Sequence, residues 1–358
     1  MEKDQKHRLV DAGALQAFIR SVLRHSGLPE ADAGTVAALM AEADLQGSDG
    51  HGVIRLPQYH KRLQTGGMNP RPNIRVVTER AAMAVVDGDN GMGHLVMSFA
   101  AKLAIEKART AGVAWVGTRA SNHAGPASLY ARMPIEHDMI GMYFAVGNAN
   151  HLPPWGGMEM LLSTNPIAVG IPSGSEPSVV LDMATTVAAY GKVKAKAKRG
   201  EAMPEGWMID RQGRPLLDPT RAHEGFLLPI GGHKGYGLAL IVGLLAGTLH
   251  GAAMGRDVVD FNQDHVTPTN TGQAILVIDL NAFGAPADFK QAVDKLVRDI
   301  HDSERMPGVE RIWLPGEQSH ARRAEYAAGI PIGATIVDEL DQLADRLALE
   351  KLVCLTSS

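Results

Sequence analysis

The chain has little of several features that would assign it to particular classes of protein. It contains a single cysteine, Cys354, which excludes an internal disulfide framework and a thiolate zinc cluster. Its longest apolar run, Leu238–Leu249, is shorter than the roughly 20 residues that span a bilayer. The N-terminus carries charge where a signal peptide would be apolar. We therefore expect a cytoplasmic protein without a membrane segment.

Several catalytic and binding motifs are also missing. No G-x-G-x-x-G sequence follows a predicted strand, which argues against a standard Rossmann dinucleotide site. There is no Walker loop, no H-E-x-x-H and no G-x-S-x-G. The 14 histidines are scattered rather than paired at metal-ligand spacing, so no metal is predicted. A net charge of −4 argues against nucleic acid or an anionic membrane as the main partner.

What is present predicts a mixed α/β protein with helices near both ends. The 358 residues, 45% of them hydrophobic, suffice for roughly two domains. An apolar stripe from Leu15 to Leu23 predicts a helix that Gly27 stops, and Pro29 suits the start of a second helix. Thr335 and Asp338 have capping-box spacing before a last helix that ends near Lys351. Between these terminal helices, β-rich runs alternate with helical runs such as 95–111. The β-rich runs are Met83–Val86, Val113–Val116, Met139–Val146, Val179–Leu181 and Ala274–Leu280.

The segment Gly47–Pro57 combines a histidine between two glycines with an arginine four residues later. The glycines let another molecule approach the ring of His51 closely, and Arg55 shares a face with His51 if the chain forms a helical turn. An imidazole can give a proton to a developing alkoxide, and a guanidinium can hold a carboxylate through two hydrogen bonds. The alternative is a turn with a surface histidine and a solvated arginine.

Two further segments place polar residues beside predicted elements. Ser121 or Asn122 could cap a helix through Tyr130, which would put His123 at the positive end of the helix dipole and favour neutral imidazole. Otherwise His123 is an ordinary residue of the first helical turn. Asp182 ends an apolar strand and could meet ribose hydroxyls or orient a histidine, although capping the next helix is the commoner role of such an aspartate.

Two segments could bind an anion. In Gly231–Gly237, glycines precede an apolar helix, so that free backbone N–H groups and Lys234 could hold a phosphate. Because the helix over Leu238–Leu249 is apolar on nearly every side, we expect it to be buried in the core. The basic run Lys192–Arg199 has no interleaved aromatic residues for stacking bases, which favours a solvated helix face, although it could assist a cofactor phosphate.

Several stretches carry a resemblance to a known family, and they are Gly47–Leu56, Ser121–Tyr130, Pro154–Gly157, Ser163–Pro166, Leu181–Thr186 with Gly191 and Lys192, Leu228–Leu240, and Leu314–Glu317. In this order and combination, they resemble the type 2 malate/L-lactate dehydrogenase family. That family also includes ureidoglycolate dehydrogenase, diketogulonate reductase and the piperideine- and pyrroline-2-carboxylate reductases. The resemblance covers nearly the whole chain.

The resemblance implies an NAD(P)-dependent oxidoreductase that transfers hydride between nicotinamide and a small 2-oxo or 2-hydroxy carboxylate. It implies a homodimer whose cofactor, NAD or NADP, binds to a largely antiparallel sheet rather than to a Rossmann domain. A helical domain is expected from both termini. The expected division is an N-terminal helical part over residues 1–72, the NAD(P)-binding domain over 73–284, and a C-terminal segment over 285–358 that returns to the first part.

The resemblance also implies roles for individual residues. His51 matches the proton donor, Arg55 the contact to the substrate carboxylate, and His123 a second active-site histidine. Thr164 falls at a substrate contact. The expected cofactor contacts are Asn148, Asp182, Met183, Ala184, His233, Lys234, Gly316 and Glu317.

One position departs from the family pattern. Relatives commonly have serine immediately before the donor histidine, where this chain has Gly50, so a charge relay through that serine cannot be carried over. Either Asp49 or a water orients His51, or His123 does more of the work. Two rival functions stay open. One is reduction of a cyclic imine carboxylate, and the other is a non-catalytic dinucleotide-binding protein.

Overall fold

The computed structural model describes residues 7–355. The charged N-terminal segment of residues 1–6 and residues 356–358 lie outside this description, as do the side chains of Lys198 and Arg199 from the basic run. The helices are α1 (Ala12–His25), α2 (Glu30–Leu45), α3 (Leu56–Thr65), α4 (Gly93–Ala111), α5 (Ser128–Arg132), α6 (Tyr190–Arg199), α7 (His233–Ala246), α8 (Pro286–His301), α9 (Glu317–Glu325) and α10 (Ala334–Leu347). The strands are β1 (His7–Val10), β2 (Arg75–Glu79), β3 (Met83–Asp87), β4 (Val113–Ser121), β5 (Met139–Ala145), β6 (Ile167–Ile171), β7 (Val179–Met183), β8 (Met208–Asp210), β9 (Gly225–Leu227), β10 (Thr271–Asp279) and β11 (Ile330–Gly333). Across residues 7–355, no helix has the length and apolar character to cross a membrane.

Seven strands form one mixed sheet in the order β2-β3-β4-β10-β5-β6-β7. β3 and β4 pair in parallel, and the other neighbours pair antiparallel. Alternate side chains of the central strands point to opposite faces. Ile275 packs with the core under α4, whereas Leu276 packs with Phe144 and Val242 of α7. The fold is therefore mixed α/β, as the sequence pattern predicted, and its sheet is mostly antiparallel, as the resemblance implied.

The two ends of the described chain pack together. β1 pairs antiparallel with β11, so that Val10 lies opposite Ile330. One apolar core combines residues of α1 and α2 with Leu340 and Leu343 of α10. α3, which carries functional residues described below, packs into the same core through Leu56. The helical body thus sets the position of α3 relative to the sheet.

The periodicity of the N-terminal region is confirmed. The buried side chains of α1 are Leu15, Phe18, Ile19, Val22 and Leu23. Gly27 follows this helix with φ +101°, a left-handed conformation that favours glycine, and α2 begins directly after Pro29. The five β-rich runs fall on β3, β4, β5, β7 and β10.

Two expectations about helices are wrong. α10 begins after Gly333 without a side-chain cap, and Thr335 lies inside the helix, which ends at Leu347. α7 is not buried on all sides, because Ile241 is 52% and Leu249, just beyond its end, 61% exposed. One face of α7 packs on the sheet, and the apolar residues Leu238, Ile241 and Leu244 of the helix are exposed.

Candidate active site

The segment between α2 and α3 is shaped by one buried carboxyl group. Asp44, near the end of α2, accepts a hydrogen bond of 2.8 Å from the backbone N–H of Val53. A Cβ atom at Gly52 would lie only 1.9 Å from Oδ1 of Asp44, so that this close approach of the backbone to Asp44 requires glycine. Burial raises the pKa of Asp44 to about 8, against the lowering effect of the Val53 hydrogen bond. Asp44 thereby fixes the turn that presents His51.

The two predicted histidines meet, although 72 residues separate them in the chain. Nδ1 of His51 lies 3.2 Å from Nε2 of His123, and their ring planes differ by 10°. The hydroxyl of Tyr59 lies 2.5 Å from Nδ1 of His123. The ring of Phe261 stacks on His123 with centroids 5.3 Å apart. His123 therefore lies in direct contact with His51 and is itself in contact with Tyr59 and Phe261.

The position expected for His123 at a helix N-terminus is wrong. β4 extends to Ser121, and α5 begins only at Ser128. The side chain of Asn122 donates to the carbonyl groups of Asn90 and Gly91 instead of capping a helix. His123 is therefore not a residue of the first turn of α5.

Burial keeps the histidines neutral. Desolvation, followed by the nearby charge of Arg55, lowers the pKa of His51 to about 4. Desolvation also holds the pKa of His123 well below its usual range, with further lowering by His51, Arg55 and His94. These pKa directions favour the neutral form of both rings at pH 7.

The hydrogen-bond partners of the Arg55 guanidinium are neutral groups. Its Nε donates to the carbonyl of Gly50 at 2.9 Å, and its Nη1 donates to Gln58 at 3.1 Å and to Asn262 at 3.4 Å. Within residues 7–355 no carboxylate pairs with Arg55, and its Nη2 makes no hydrogen bond. Desolvation lowers the pKa of Arg55, and its partners in the described residues are neutral, so that its charge has no compensation from a carboxylate there. An anion with two oxygens would supply it.

The other predicted residues lie on segments that touch one another. The carbonyl of Asn148 accepts from the backbone N–H of Phe261 at 2.9 Å, which links this segment to the histidine pair. The carbonyl of Thr164 accepts from Thr185 at 2.9 Å, and Thr185 in turn accepts from Ile230, just before Gly231. Three predicted segments, around Thr164, Asp182 and Lys234, are therefore contiguous.

Asp182 and Gly316 belong to the same region. Oδ2 of Asp182 accepts from the backbone N–H of Ser128 at 2.8 Å, so this aspartate caps α5, which precedes it, rather than the next helix. Gly316 has φ +92° and packs against Val180 of β7, where a Cβ would lie 2.9 Å from the Val180 carbonyl oxygen. The glycine brings the segment before α9 against the strand that carries Asp182.

The charged ends of the predicted cofactor segments differ in exposure. His233 and Lys234 are exposed at the N-terminus of α7, after Gly231 and Gly232, which both have positive φ. Glu317 is buried, with Oε1 lying 2.8 Å from Nε2 of His301 and Oε2 accepting from the N–H of Leu314 at 3.0 Å. The remaining two residues of this set, Met183 and Ala184, are half-buried.

A cavity of about 360 Å³ adjoins the segment before His51. Its charged lining residues are Asp44, Asp49, Lys192 and Arg322. Lys192 from the basic run therefore faces a cavity, whereas Lys196 pairs with Glu201 at 3.0 Å. Among residues 7–355, no three or more His, Cys, Asp or Glu side chains are grouped to hold a metal ion.

Sequence reasoning missed several residues of this site. Tyr59 could have been found, because it lies one helical turn after Arg55 and so on the same face of α3. Phe261 and Asn262 gave no such signal, because they lie in an irregular stretch between the 3₁₀ turn at Gly255–Asp257 and β10. The role of Asp44 could not be predicted from the sequence, because it depends on the close approach of the Gly52 backbone to its carboxyl group.

Comparison with known proteins gives a consistent result. The family model for malate/L-lactate dehydrogenase matches residues 10–341. Malate dehydrogenase of Pyrococcus horikoshii is 38% identical over 98% of both chains, and its structure superposes with a TM-score of 0.88 over 97% of both. L-sulfolactate dehydrogenase of Methanocaldococcus jannaschii is 38% identical over 93% of this chain and 95% of its own. The structure of Δ1-piperideine-2-carboxylate reductase of Pseudomonas syringae, 31% identical, covers 94% of this chain and 100% of that one with a TM-score of 0.82.

Proposed function

This chain belongs to the malate/L-lactate dehydrogenase family, and from that membership we propose which of its residues carry out the reaction. It is an NAD(P)-dependent oxidoreductase that interconverts 2-hydroxy and 2-oxo carboxylates. The observation that carries our assignment is the juxtaposition of an uncompensated guanidinium and a neutral imidazole in one turn of chain. The first suits the carboxylate of the substrate, and the second suits the proton of its hydroxyl group.

Arg55 binds the substrate carboxylate. Its Nε and Nη1 are held by Gly50, Gln58 and Asn262, so that the guanidinium is fixed before substrate arrives. A fixed guanidinium with a free Nη2 orients the carboxylate and, with it, the adjacent α-carbon. Thr164, on the neighbouring segment, is proposed as a second substrate contact.

His51 takes the proton from the hydroxyl when the 2-hydroxy acid is oxidised and returns it in the reverse direction. With its own proton on Nδ1, His51 donates to Nε2 of His123 and leaves its Nε2 free to act as the base. In this arrangement His123 carries its proton on Nδ1, next to the hydroxyl of Tyr59. A substrate carboxylate on Arg55 removes one of the two causes that lower the pKa of His51, so that the ring holds the proton more readily once substrate is bound.

The residues of the chain fit a nicotinamide dinucleotide. Gly231 and Gly232 leave the N-terminus of α7 open, and the exposed Lys234 beside it suits a pyrophosphate. Asp182 uses one oxygen for Ser128, and its other oxygen suits a ribose hydroxyl. The bound cofactor, NAD or NADP, supplies or accepts the hydride. The residues proposed to hold it are Asn148, Asp182, Met183, Ala184, His233, Lys234, Gly316 and Glu317, the last through the Leu314–Gly316 turn that it fixes.

We further propose that a second copy of the chain covers the free face of α7, which gives a homodimer. Ile241 and Leu249 are the most exposed apolar residues on and next to this helix, and an apolar face of this kind is typical of a permanent interface. A monomer in sedimentation velocity would contradict this. We also propose the domain division that the resemblance implied, with boundaries at 1–72, 73–284 and 285–358.

Steady-state assays with paired variants test the assignment. His51→Ala should lower kcat by about 10²–10⁴-fold, whereas Arg55→Lys should raise KM for the carboxylate more than it lowers kcat. His223→Ala is the control, because its side chain is 76% exposed and belongs to no part of the site. Unchanged turnover in His51→Ala would refute the assignment.

The substrate panel separates the proposed function from its rivals. NADH and NADPH oxidation is measured with pyruvate, oxaloacetate, pyrroline-2-carboxylate and piperideine-2-carboxylate. A preference for the cyclic imines would favour the reductase function, as the match to the Pseudomonas syringae structure permits. Cofactor binding in calorimetry without oxidation of any hydroxy acid or reduction of any panel member would favour a non-catalytic protein.

A further inference from the structure

α3 and the residue directly before it present three side chains at helical spacing, and the third has no role in the reaction described so far. Arg55, Tyr59 and Arg62 are spaced four and three residues apart, as one helical face requires. The Arg62 side chain is fully buried. Burying a guanidinium is costly unless its donors are satisfied, so a specific use of Arg62 is expected.

Arg62 binds the backbone of a distant segment, residues 260–267, which we call the Phe261 segment. Its Nη2 donates to the carbonyl of Thr267 at 2.8 Å and to that of Gly67 at 3.0 Å, and its Nη1 donates to the carbonyl of Asp264. The guanidinium carbon lies 5.4 Å from the centre of the Phe261 ring. The carboxylate of Asp264 accepts instead from the N–H groups of Val266 and Thr267, so the segment is held to Arg62 by its carbonyl groups.

The Phe261 segment in turn reaches both groups assigned to the reaction. Phe261 stacks on His123, and its carbonyl accepts from Gln58 at 2.7 Å. Asn262 is one of the neutral acceptors that fix Arg55. The segment contains no helix or strand, so its position relies on such side-chain contacts together with the backbone hydrogen bond from Phe261 to Asn148.

We propose that Arg62 is a positioning residue that holds the Phe261 segment against the active site. Through Asn262 and Gln58 it fixes the guanidinium of Arg55, and through Phe261 it shields His123 from water. The first effect rests on the proposed function, because it concerns substrate affinity. The second concerns the free protein alone and stands without it.

The paired variants Arg62→Lys and Lys61→Met test this proposal. A lysine keeps the charge but cannot fork to three carbonyl groups, while Lys61 is the exposed neighbour of Arg62 on the same helix. Arg62→Lys should raise KM for the carboxylate substrate by about tenfold or more and change kcat less. Lys61→Met should leave both unchanged.

A second readout needs no turnover. The side chains facing His123 are His51, Tyr59, His94, Arg55 and Phe261, and no carboxylate is among them. In imidazole NMR titrations of the free protein between pH 5 and 8, His123 should not titrate in the wild type or in Lys61→Met. In Arg62→Lys, water reaches the ring and its pKa should rise into that range.

The outcomes are distinguishable. A folded Arg62→Lys variant with unchanged KM and an unchanged His123 titration overturns the proposal. A shifted titration in a protein that turns over no member of the substrate panel refutes the proposed function and leaves the positioning role standing. If Arg62 variants do not fold, Asn262→Ala should raise KM and Phe261→Leu should bring His123 into the titration range. Absence of both effects overturns the proposal equally.

Discussion

Removing one hydroxyl group, in Tyr59→Phe, gives the sharpest test of the histidine pair. Tyr59 is fully buried, and its ring touches His94 edge-on and Phe261, contacts that phenylalanine retains. What disappears is the hydrogen bond of 2.5 Å to Nδ1 of His123. A buried polar atom left without its partner costs about 1–3 kcal/mol. We expect the free energy of unfolding to fall by that amount.

The effect on catalysis should separate from the effect on stability. Tyr59 forms a hydrogen bond with His123 and none with Arg55. We therefore expect kcat to fall while KM for the carboxylate stays nearly constant. A loss of about 1–3 kcal/mol in orienting the proton acceptor corresponds to about 5- to 150-fold in kcat. Steady-state kinetics and urea unfolding of the same preparations supply both numbers.

Tyr130→Phe is the matched control. Its hydroxyl is also buried and donates to a backbone carbonyl, that of Ala124, at 2.6 Å, without reaching an imidazole. The control should lose similar stability and keep kcat. If Tyr59→Phe loses stability to the same degree as Tyr130→Phe and keeps its full kcat, the hydroxyl does not orient His123, and the relay to His51 is wrong.

Two further predictions follow from the same turn of chain. For oxidation of the 2-hydroxy acid, kcat/KM should stay level as the pH falls from 7 to about 5. It should decline only near the pKa of His51, about 4, because His51 must be deprotonated to act as the base. A decline centred near pH 6.5 would contradict the lowering of this pKa by burial. Gly52→Ala should destabilise the fold by about 1–3 kcal/mol in urea unfolding, because its Cβ meets Asp44, whereas Gly50→Ala has open space and should change stability little. Equal stabilities of the two variants would refute the role given to Asp44.

Local features of the sequence predicted local structure well. The apolar stripe of α1 was predictable because apolar residues at helical spacing lie on one face of a helix, and that face is the one that is buried. The proximity of His51 and Arg55 was predictable for a similar reason, since four residues of compact chain keep two side chains near each other. The order of family-like segments indicated the reaction class before any geometry was known.

Features that depend on distant contacts could not be predicted. Burial lowers the pKa of His123, which stacks on Phe261 and His51, and no local pattern of the sequence encodes these contacts. The segment that carries Phe261 has no regular structure to predict. α7 is uniformly apolar in sequence, and a uniform pattern does not tell a helix buried in one chain from a helix half-covered by its own chain.

The place of β10 in the sheet constrains the order in which the protein can be assembled on the ribosome. β10 lies between β4 and β5, with Ile275 opposite both Val116 and Tyr143, yet it is synthesised after every other strand of that sheet. Until it emerges, β4 and β5 each expose an unsatisfied edge in the nascent chain, which is where aggregation begins. The last strand of this sheet to be made thus joins its two halves, and cooperative folding of the sheet awaits synthesis as far as Asp279 of the 358 residues.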